Sequence, residues 1–157
     1  MKNFALSAIL LATLAISTPV FAAGMKLQNT AFREMSEIRA DGQRKISLVG
    51  PGTMLPGNTV VFVTHYSNEG TKPAERLVIN SAVPAGTTYL GPNTGVAEPL
   101  VSIDAGRNWG FLQSLRVGSS TASRQAQAAD VTNVRWLIAG PISPGANDNV
   151  SYRALIK

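Results

Sequence analysis

One histidine limits the acid–base chemistry that this sequence can support. His65 is the only histidine, and the chain has no cysteine. A zinc site built on two histidines is therefore excluded, and any Ser/His/Asp arrangement has to include His65. Val63 and Ser67 share its face of a predicted strand, and no acid is close to it in the sequence. We predict that His65 is a surface or half-buried strand residue without a catalytic role.

The carboxylates do not form a pattern typical of hydrolysis or metal binding. Glu34 and Glu37 are the only close pair among the nine acids, and a spacing of three brings side chains together only on a helix, whereas this segment has a strand pattern. Four aspartates in turn-like positions could each be a calcium ligand, but no loop has the dense oxygen pattern that calcium requires: Asp41, Asp104, Asp130 and Asp148. We therefore predict no catalytic residue, no metal ligand, no cofactor-binding residue and no cofactor.

Residues 102–109 read Ser-Ile-Asp-Ala-Gly-Arg-Asn-Trp, which is similar to the Asp-box hairpin of sialidase propellers. The resemblance implies a structural role, in which Asp104 caps a tight turn and Trp109 packs beneath it. The motif occurs once, and Asn108 stands where threonine is usual. A turn capped by a side chain accounts for the motif, so we do not interpret it as a glycosidase signal.

The N-terminus has the three parts of a secretory signal peptide. Lys2 supplies a positive charge, residues 4–16 form a nearly unbroken apolar run, and Val20-Phe21-Ala22 places smaller side chains, those of residues 20 and 22, at a cleavage site. The apolar run is too short to span ~30 Å of hydrocarbon, so a retained membrane anchor is the weaker alternative. We predict a bacterial protein that is exported to the periplasm or the cell surface.

Cleavage between Ala22 and Ala23, or between Ala23 and Gly24 as the second choice, leaves a chain of ordinary size for one domain. We predict a signal peptide over residues 1–22 and a single domain over residues 23–157, with no later segment long enough to span a membrane. The absence of cysteine excludes a lipid anchor on an N-terminal cysteine and leaves the core to stabilise the domain without disulfides.

The net charge of +5 falls to +4 when Lys2 is removed. A basic chain can bind nucleic acid, but the nine arginines are scattered and no aromatic residues alternate with them. We therefore expect no nucleic-acid partner and interpret these charges as solvated surface residues.

Short strands separated by turn residues dominate the sequence after the signal. This spacing predicts an all-β chain, an immunoglobulin-like β-sandwich of about seven to nine strands, with a small barrel as the alternative. The predicted strands cover residues 27–38, 45–49, 59–67, 76–83, 87–89, 98–103, 109–115, 134–139 and 150–156, and residues 118–130 are predicted to be a loop. Residues 27–38 form one or two strands in this prediction, with a helix as the weaker alternative.

Side chains alternate between the two faces of a strand, and this alternation along the strongest predicted strand, residues 59–67, predicts which of them face the core. Phe62 and Tyr66 share one face, and together with Trp136 they are the bulky residues that a sandwich core needs. Val61 and Val63 lie on the opposite face and are too apolar for full exposure. We expect either the N-terminal strand or a neighbouring subunit to cover them.

Three stretches occur in a fixed order along the chain: residues 56–70 (Pro-Gly-Asn into Asn-Glu-Gly), residues 73–89 (ending Pro-Ala-Gly-Thr-Thr-Tyr), and Val-Arg-Trp at 134–136 with Ser-Pro-Gly at 143–145. Together they resemble the bacterial conserved-repeat domain known as domain of unknown function eleven. The resemblance covers almost the whole chain after the signal and implies an immunoglobulin-like sandwich of envelope and surface proteins, with no common reaction. Ser81 is a departure, because family members often carry aspartate there.

Two functions follow as expectations. The first is a non-catalytic structural or interaction module of the cell envelope or surface, binding a protein partner or associating with itself by strand exchange, with residues 23–38 as a possible donor strand. The alternative is a module that binds glycan or another envelope polymer, for which Trp109, Phe111 and Tyr152 are the available aromatics. A hydrolase is disfavoured by the residues present, and the cysteine pair usual in chaperone–usher pilins is missing.

We expect the exported protein to begin at Ala23, because the small residue Ala22 occupies the position that signal peptidase reads. Intact mass or N-terminal sequencing of the protein from the exported fraction tests this. Recovery of the chain with Met1 intact in a membrane pellet would contradict it.

Overall fold

The computed structural model describes residues 24–119 and 122–157, and this part of the chain contains ten strands and two short 3-10 helices. The predicted signal peptide, residues 1–22, lies outside the described residues. The strands are β1 (Met25–Ile38), β2 (Arg44–Val49), β3 (Thr59–Asn68), β4 (Val78–Ala82), β5 (Thr87–Pro92), β6 (Leu100–Ser102), β7 (Arg116–Ser119), β8 (Ala122–Gln125), β9 (Asn133–Leu137) and β10 (Asn147–Ile156). The 3-10 helices are Leu112–Ser114 and Ala128–Asp130.

All strand pairings between these elements are antiparallel. A five-stranded sheet has the order β2-β1-β3-β10-β5, a three-stranded sheet has the order β4-β9-β6, and β7 and β8 form a separate hairpin. The prediction of an all-β chain is confirmed. Within the two described ranges, no helix is long and apolar enough to cross a membrane.

Tyr152 of β10 is the centre of the core that the two large sheets share. Its ring stacks on Phe62 of β3 at 5.2 Å between centroids and lies 6.2 Å from Trp136 of β9 and 6.0 Å from Tyr89 of β5. Its hydroxyl donates a hydrogen bond of 2.9 Å to the carbonyl oxygen of Ala82 at the end of β4. One side chain therefore contacts residues of both sheets through its ring and its polar end.

The sequence interpretation of Tyr152 as an aromatic residue free to bind a ligand is wrong, because only 1% of it is exposed. Alternation along β10 places Tyr152 on the same face as Val150 and Ala154, and all three belong to the buried cluster. The assignment of Phe62, Tyr66 and Trp136 to the core is confirmed, with Phe62 packed at its margin.

Val61, on the opposite face of β3, is fully buried by neighbours within the chain. It lies between Phe32 of β1 and Arg153 of β10 in the sheet register. The Arg153 guanidinium donates two hydrogen bonds, of 2.7 and 2.8 Å, to the carboxylate of Glu34. Because strands β1 and β10 flank β3, this bidentate pair joins β10 to β1 on the face that carries Val61. The predicted apolar pair Val61 and Val63 is therefore buried within the chain, with β1 as its neighbour on one side and β10 on the other.

Three predicted elements differ from the structure. The strand predicted to begin at Arg76 begins at Val78, because Arg76 has a φ of 53° that is incompatible with an extended strand. The strand predicted over 109–115 is one bridge, between Gly110 and Val101, followed by a 3-10 helix. The loop predicted over 118–130 contains part of the β7–β8 hairpin and a second 3-10 helix. The residues of this hairpin are mostly small and polar, so they lack the alternation of apolar and polar side chains that marks a strand in the sequence.

Strand β1 is longer than any one of its partners, and this length positions the site described below. Its first part, Met25–Arg33, pairs with β3, and its second part, Arg33–Ile38, pairs with β2 on the other side. The turn between β1 and β2 is closed by Asp41, which accepts a 2.9 Å hydrogen bond from the backbone N–H of Gln43. The β1–β2 hairpin therefore extends beyond the end of β3.

Replacement of Trp136 by alanine should lower the free energy of unfolding by ~3–5 kcal/mol, the usual cost of emptying an aromatic core site. Trp136 is 4% exposed, and its indole N–H has no hydrogen-bond partner in the described part of the chain, so its contribution is one of packing. The control His65→Ala removes an exposed side chain and should cost less than ~1 kcal/mol. Urea unfolding of both variants measures the difference, and equal losses would contradict the assignment of strand faces.

Candidate functional site

A groove of about 450 Å³ opens between the two large sheets. Its floor is formed by Phe62 of β3 and Tyr152 of β10, one wall by residues 29–31 of β1, and the other wall by residues 80–82 of β4. Asn29 and Thr64 lie side by side on adjacent strands, and the Thr64 hydroxyl donates a 2.7 Å hydrogen bond to the Asn29 side chain. The groove is therefore aromatic at its floor and polar at its walls.

No carboxylate, histidine, lysine or arginine lines this groove among the described residues. Tyr152 is the one side chain in its lining that titrates, and burial raises the pKa of its hydroxyl to about 12. The hydroxyl therefore remains protonated at physiological pH and already donates to the Ala82 carbonyl. Such a lining can accept a neutral or extended polypeptide group, but it supplies no general base near neutral pH.

One rim of the groove is an open strand edge. Residues 25–32 of β1 pair with β3 on one side, and none of the described strands pairs with them on the other side, because β2 begins its pairing at Arg33. Backbone N–H and C=O groups on such an edge are available to another strand. β4, on the opposite rim, is also an edge strand, since β9 is its neighbour in the three-stranded sheet.

A second groove, of about 470 Å³, runs along residues 94–97, 136–139 and 148–150. It contains the only titratable pair in either large groove, Tyr66 and Asp148. Burial raises the pKa of the Tyr66 hydroxyl, and the negative charge of Asp148 raises it further. Tyr66 is thus a neutral hydroxyl beside a carboxylate, which is an arrangement for hydrogen bonding and not for nucleophilic attack.

His65 is exposed on β3, as the sequence predicts, between Gln28 and Asn149 in the register of the sheet. Its side chain has no hydrogen bond or ion pair in the described part of the chain. Glu69 and Asp148 line the same shallow pocket as His65, but neither carboxylate forms a hydrogen bond or ion pair with the imidazole that could orient it as a base.

Asp104 caps its turn through both carboxylate oxygens. Oδ1 accepts hydrogen bonds from the backbone N–H groups of Arg107 and Asn108 at 3.1 and 2.9 Å and from the hydroxyl of Ser102 at 2.7 Å. The side-chain amide of Asn108 donates to Oδ2 at 2.6 Å, so the residue that departs from the usual Asp-box threonine adds a contact to the cap. The Trp109 indole N–H donates to the carbonyl of Gly106 at 2.8 Å, which fixes the ring beneath the turn.

The other predicted calcium candidates also have local partners. Asp130 forms a bidentate pair with Arg124, at 2.6 and 2.7 Å, and accepts from the backbone N–H of Gln127. Asp148 accepts from the backbone N–H of Asn149, the next residue. Across residues 24–119 and 122–157, no three metal-binding side chains come together. Glu34 and Glu37 lie on β1, where alternation places them on opposite faces.

The aromatic side chains proposed for a glycan do not form an exposed row. The Arg135 guanidinium carbon lies 3.9 Å from the ring centroid of Trp109 and covers one face of the indole. Arg135 is itself held by Asn80, to which its Nε donates at 2.8 Å. With Tyr152 buried, Phe111 is the member of the predicted set that is well exposed, at 45%.

The pH dependence of stability should report the Asp104 cap. Hydrogen bonds from the Asn108 backbone N–H and from Ser102 lower the pKa of Asp104 from 3.8 to about 2. A lowered carboxylate pKa contributes stability above the ordinary value, and this contribution is lost as the pH falls from about 4 to about 2. Asp104→Asn should therefore be less stable than the parent at pH 7, and the difference should shrink across that window.

Urea midpoints of the parent and of Asp104→Asn at pH 7, 4 and 2.5 measure this effect. Asp130→Asn is the matched comparison, because its pKa is also lowered to about 2, chiefly by Arg124. A difference between parent and Asp104→Asn that stays constant from pH 7 to pH 2.5 would contradict the role of the carboxylate charge in the cap.

Comparison with known proteins gave no match to a protein-family model, to a curated protein or to a solved structure. The resemblance to domain of unknown function eleven therefore stays a prediction from the sequence motifs.

Proposed function

We propose that this protein is a non-catalytic structural or interaction module of the bacterial cell envelope or surface, built as an immunoglobulin-like β-sandwich. It is exported by its N-terminal signal and acts in the periplasm or outside the cell. Its partner is a protein strand, supplied by another protein or by a second copy of the chain. This mode of recognition uses backbone hydrogen bonds for affinity and side-chain pockets for specificity.

The observation that carries the proposal is the open edge of β1 beside the groove. None of the described strands pairs with residues 25–32 on the side away from β3, and the adjacent groove walls carry amide and hydroxyl side chains. An added strand would pair with this edge and place alternate side chains toward the groove. The uncharged lining suits a polypeptide segment better than an ionic small molecule.

Binding of a glycan or another envelope polymer is the second candidate, and it has weaker support. Carbohydrate binding commonly uses exposed aromatic faces, and Arg135 already covers one face of Trp109. Phe111 is an isolated exposed ring. A hydrolase has still less support, because the groove lining lacks an acid–base pair.

The test is to express the full chain in a Gram-negative host, separate cytosol, periplasm, membranes and medium, and identify what accompanies the protein. We expect the processed chain in the periplasm or medium, with a fraction in complexes that survive size-exclusion chromatography with light scattering. Retention of the unprocessed chain in the cytosol would overturn the proposal. Processing and export combined with turnover of a glycan or peptide substrate would replace it with an enzymatic function.

A further inference from the structure

The edges of the two large sheets are not equally protected against pairing with another strand. β2 begins with two cationic residues, Arg44 and Lys45, and β5 ends in Gly91-Pro92 beside a register shift in its pairing with β10. β6 is three residues long, and its outer side is bridged to Gly110. An edge strand is usually protected from pairing with another strand by charged side chains, proline, irregular pairing or a segment that covers it.

The free edge of β1 has almost none of these protections. Over residues 24–32 the single charged side chain is Lys26, and the segment has no proline. The edge is regular, because its pairing with β3 runs without a register shift from Met25 to Arg33. Leu27 is 52% exposed on the face of β1 that also carries Asn29 in the groove wall. An open edge of about eight residues, or ~27 Å, is long for an unprotected edge strand.

The sequence of this edge is complementary to itself in one antiparallel register. With a twofold axis perpendicular to the sheet, each face of one copy continues into the same face of the other copy. Because side chains alternate between the faces, an odd-numbered residue must then lie opposite an odd-numbered residue, and an even-numbered residue opposite an even-numbered one. When Gln28 faces Gln28 of a second copy, the flanking pairs are Leu27 with Asn29, Lys26 with Thr30, Met25 with Ala31, and Gly24 with Phe32. No two like charges face each other in this register.

This register also fits the space that β2 leaves. Pairing on this side of β1 is blocked from Arg33 onward, because Arg33 is opposite Val49 of β2. The register centred on Gln28 ends with Gly24 of one copy opposite Phe32 of the other, so it fills the free edge up to β2. A register centred on Asn29 would place Met25 opposite Arg33, a position that Val49 already occupies.

We infer that the partner of the β1 edge is a second copy of this chain, joined through antiparallel β1–β1 pairing about a twofold axis at Gln28. The two five-stranded sheets then form one continuous sheet of ten strands. Each exposed Leu27 gains a neighbour across the axis, at the rim of the groove. This inference rests on the proposed function, and it identifies the protein strand that the proposed function requires as β1 of a second copy. It is compatible with the proposed cleavage, after which Ala23 alone precedes Gly24.

A single cysteine tests the register directly, because the chain has none of its own. In the proposed dimer the Cα atoms of residue 28 in the two copies are ~4.5–5.5 Å apart, within the range of a disulfide. Gln28→Cys should therefore give a covalent dimer under mild oxidation. Lys26→Cys is the matched control on the same face, since its two copies lie ~14 Å apart along the strands and should not cross-link.

Two further variants separate pairing through β1 from other association. Leu27→Lys places a charge at the interface on a side chain that the monomer leaves half exposed, and it should abolish the dimer in light scattering. Its melting temperature should equal that of the parent at concentrations where the parent is monomeric, and it should not rise with protein concentration. Leu137→Lys, at another exposed leucine on β9, should leave the dimer intact. Asn80→Cys reports on the β4 edge, and cross-linking there in place of residue 28 would overturn the inference.

The outcomes also distinguish this inference from the proposed function. A processed, exported chain that is monomeric at all concentrations, with no cross-link at residue 28, overturns the self-pairing inference and leaves an interaction with another protein in place. A chain that dimerises through residue 28 but is never exported supports the inference and overturns the envelope function.

Discussion

The contacts of Tyr152 are the interaction on which the rest of this structure depends. Its ring packs on Phe62, Trp136 and Tyr89, and its hydroxyl binds the Ala82 carbonyl, so a single side chain connects both large sheets. A chain without cysteine has no covalent link between its sheets, and aromatic packing takes that place. The buried hydroxyl is satisfied by a backbone carbonyl, which avoids the cost of an unpaired polar group in the core.

The same contacts determine the shape of the candidate site. Tyr152 and Phe62 form the floor of the groove, and the hydrogen bond from Tyr152 sets the position of the end of β4, which forms one wall. Because the core aromatics also line the groove, the site is uncharged and tightly packed at its base. Its open rim, the edge of β1, is held by β3 along one side and by the Arg153–Glu34 pair on the outer face. The site is thus a surface of the fold itself, without a separate loop that carries function.

Some carboxylates outside the groove stabilise the fold, although their sequence motifs resemble those of functional sites. Asp104 and Asp130 are the aspartates with the most strongly lowered pKa values, and each is surrounded by donors from its own turn or a neighbouring strand. Lowered pKa values often mark active sites, but here backbone N–H groups and Arg124 account for them. These carboxylates close turns and anchor a hairpin, and they do not converge on the groove.

Alternation and turn residues in the sequence were enough to predict the all-β class, most strand positions and the core roles of Phe62 and Trp136, because these depend on neighbours within a strand or a turn. They were also enough for the capping role of Asp104, since its partners lie within four residues. Tyr152 was misassigned, because its burial depends on β3 and β9, which are distant in the sequence. The groove and the free edge of β1 were likewise decided by tertiary structure alone. They arise from the choice of neighbouring strands in each sheet and from the point at which β2 ends. Pairing between strands distant in the sequence leaves no local pattern in the residues themselves.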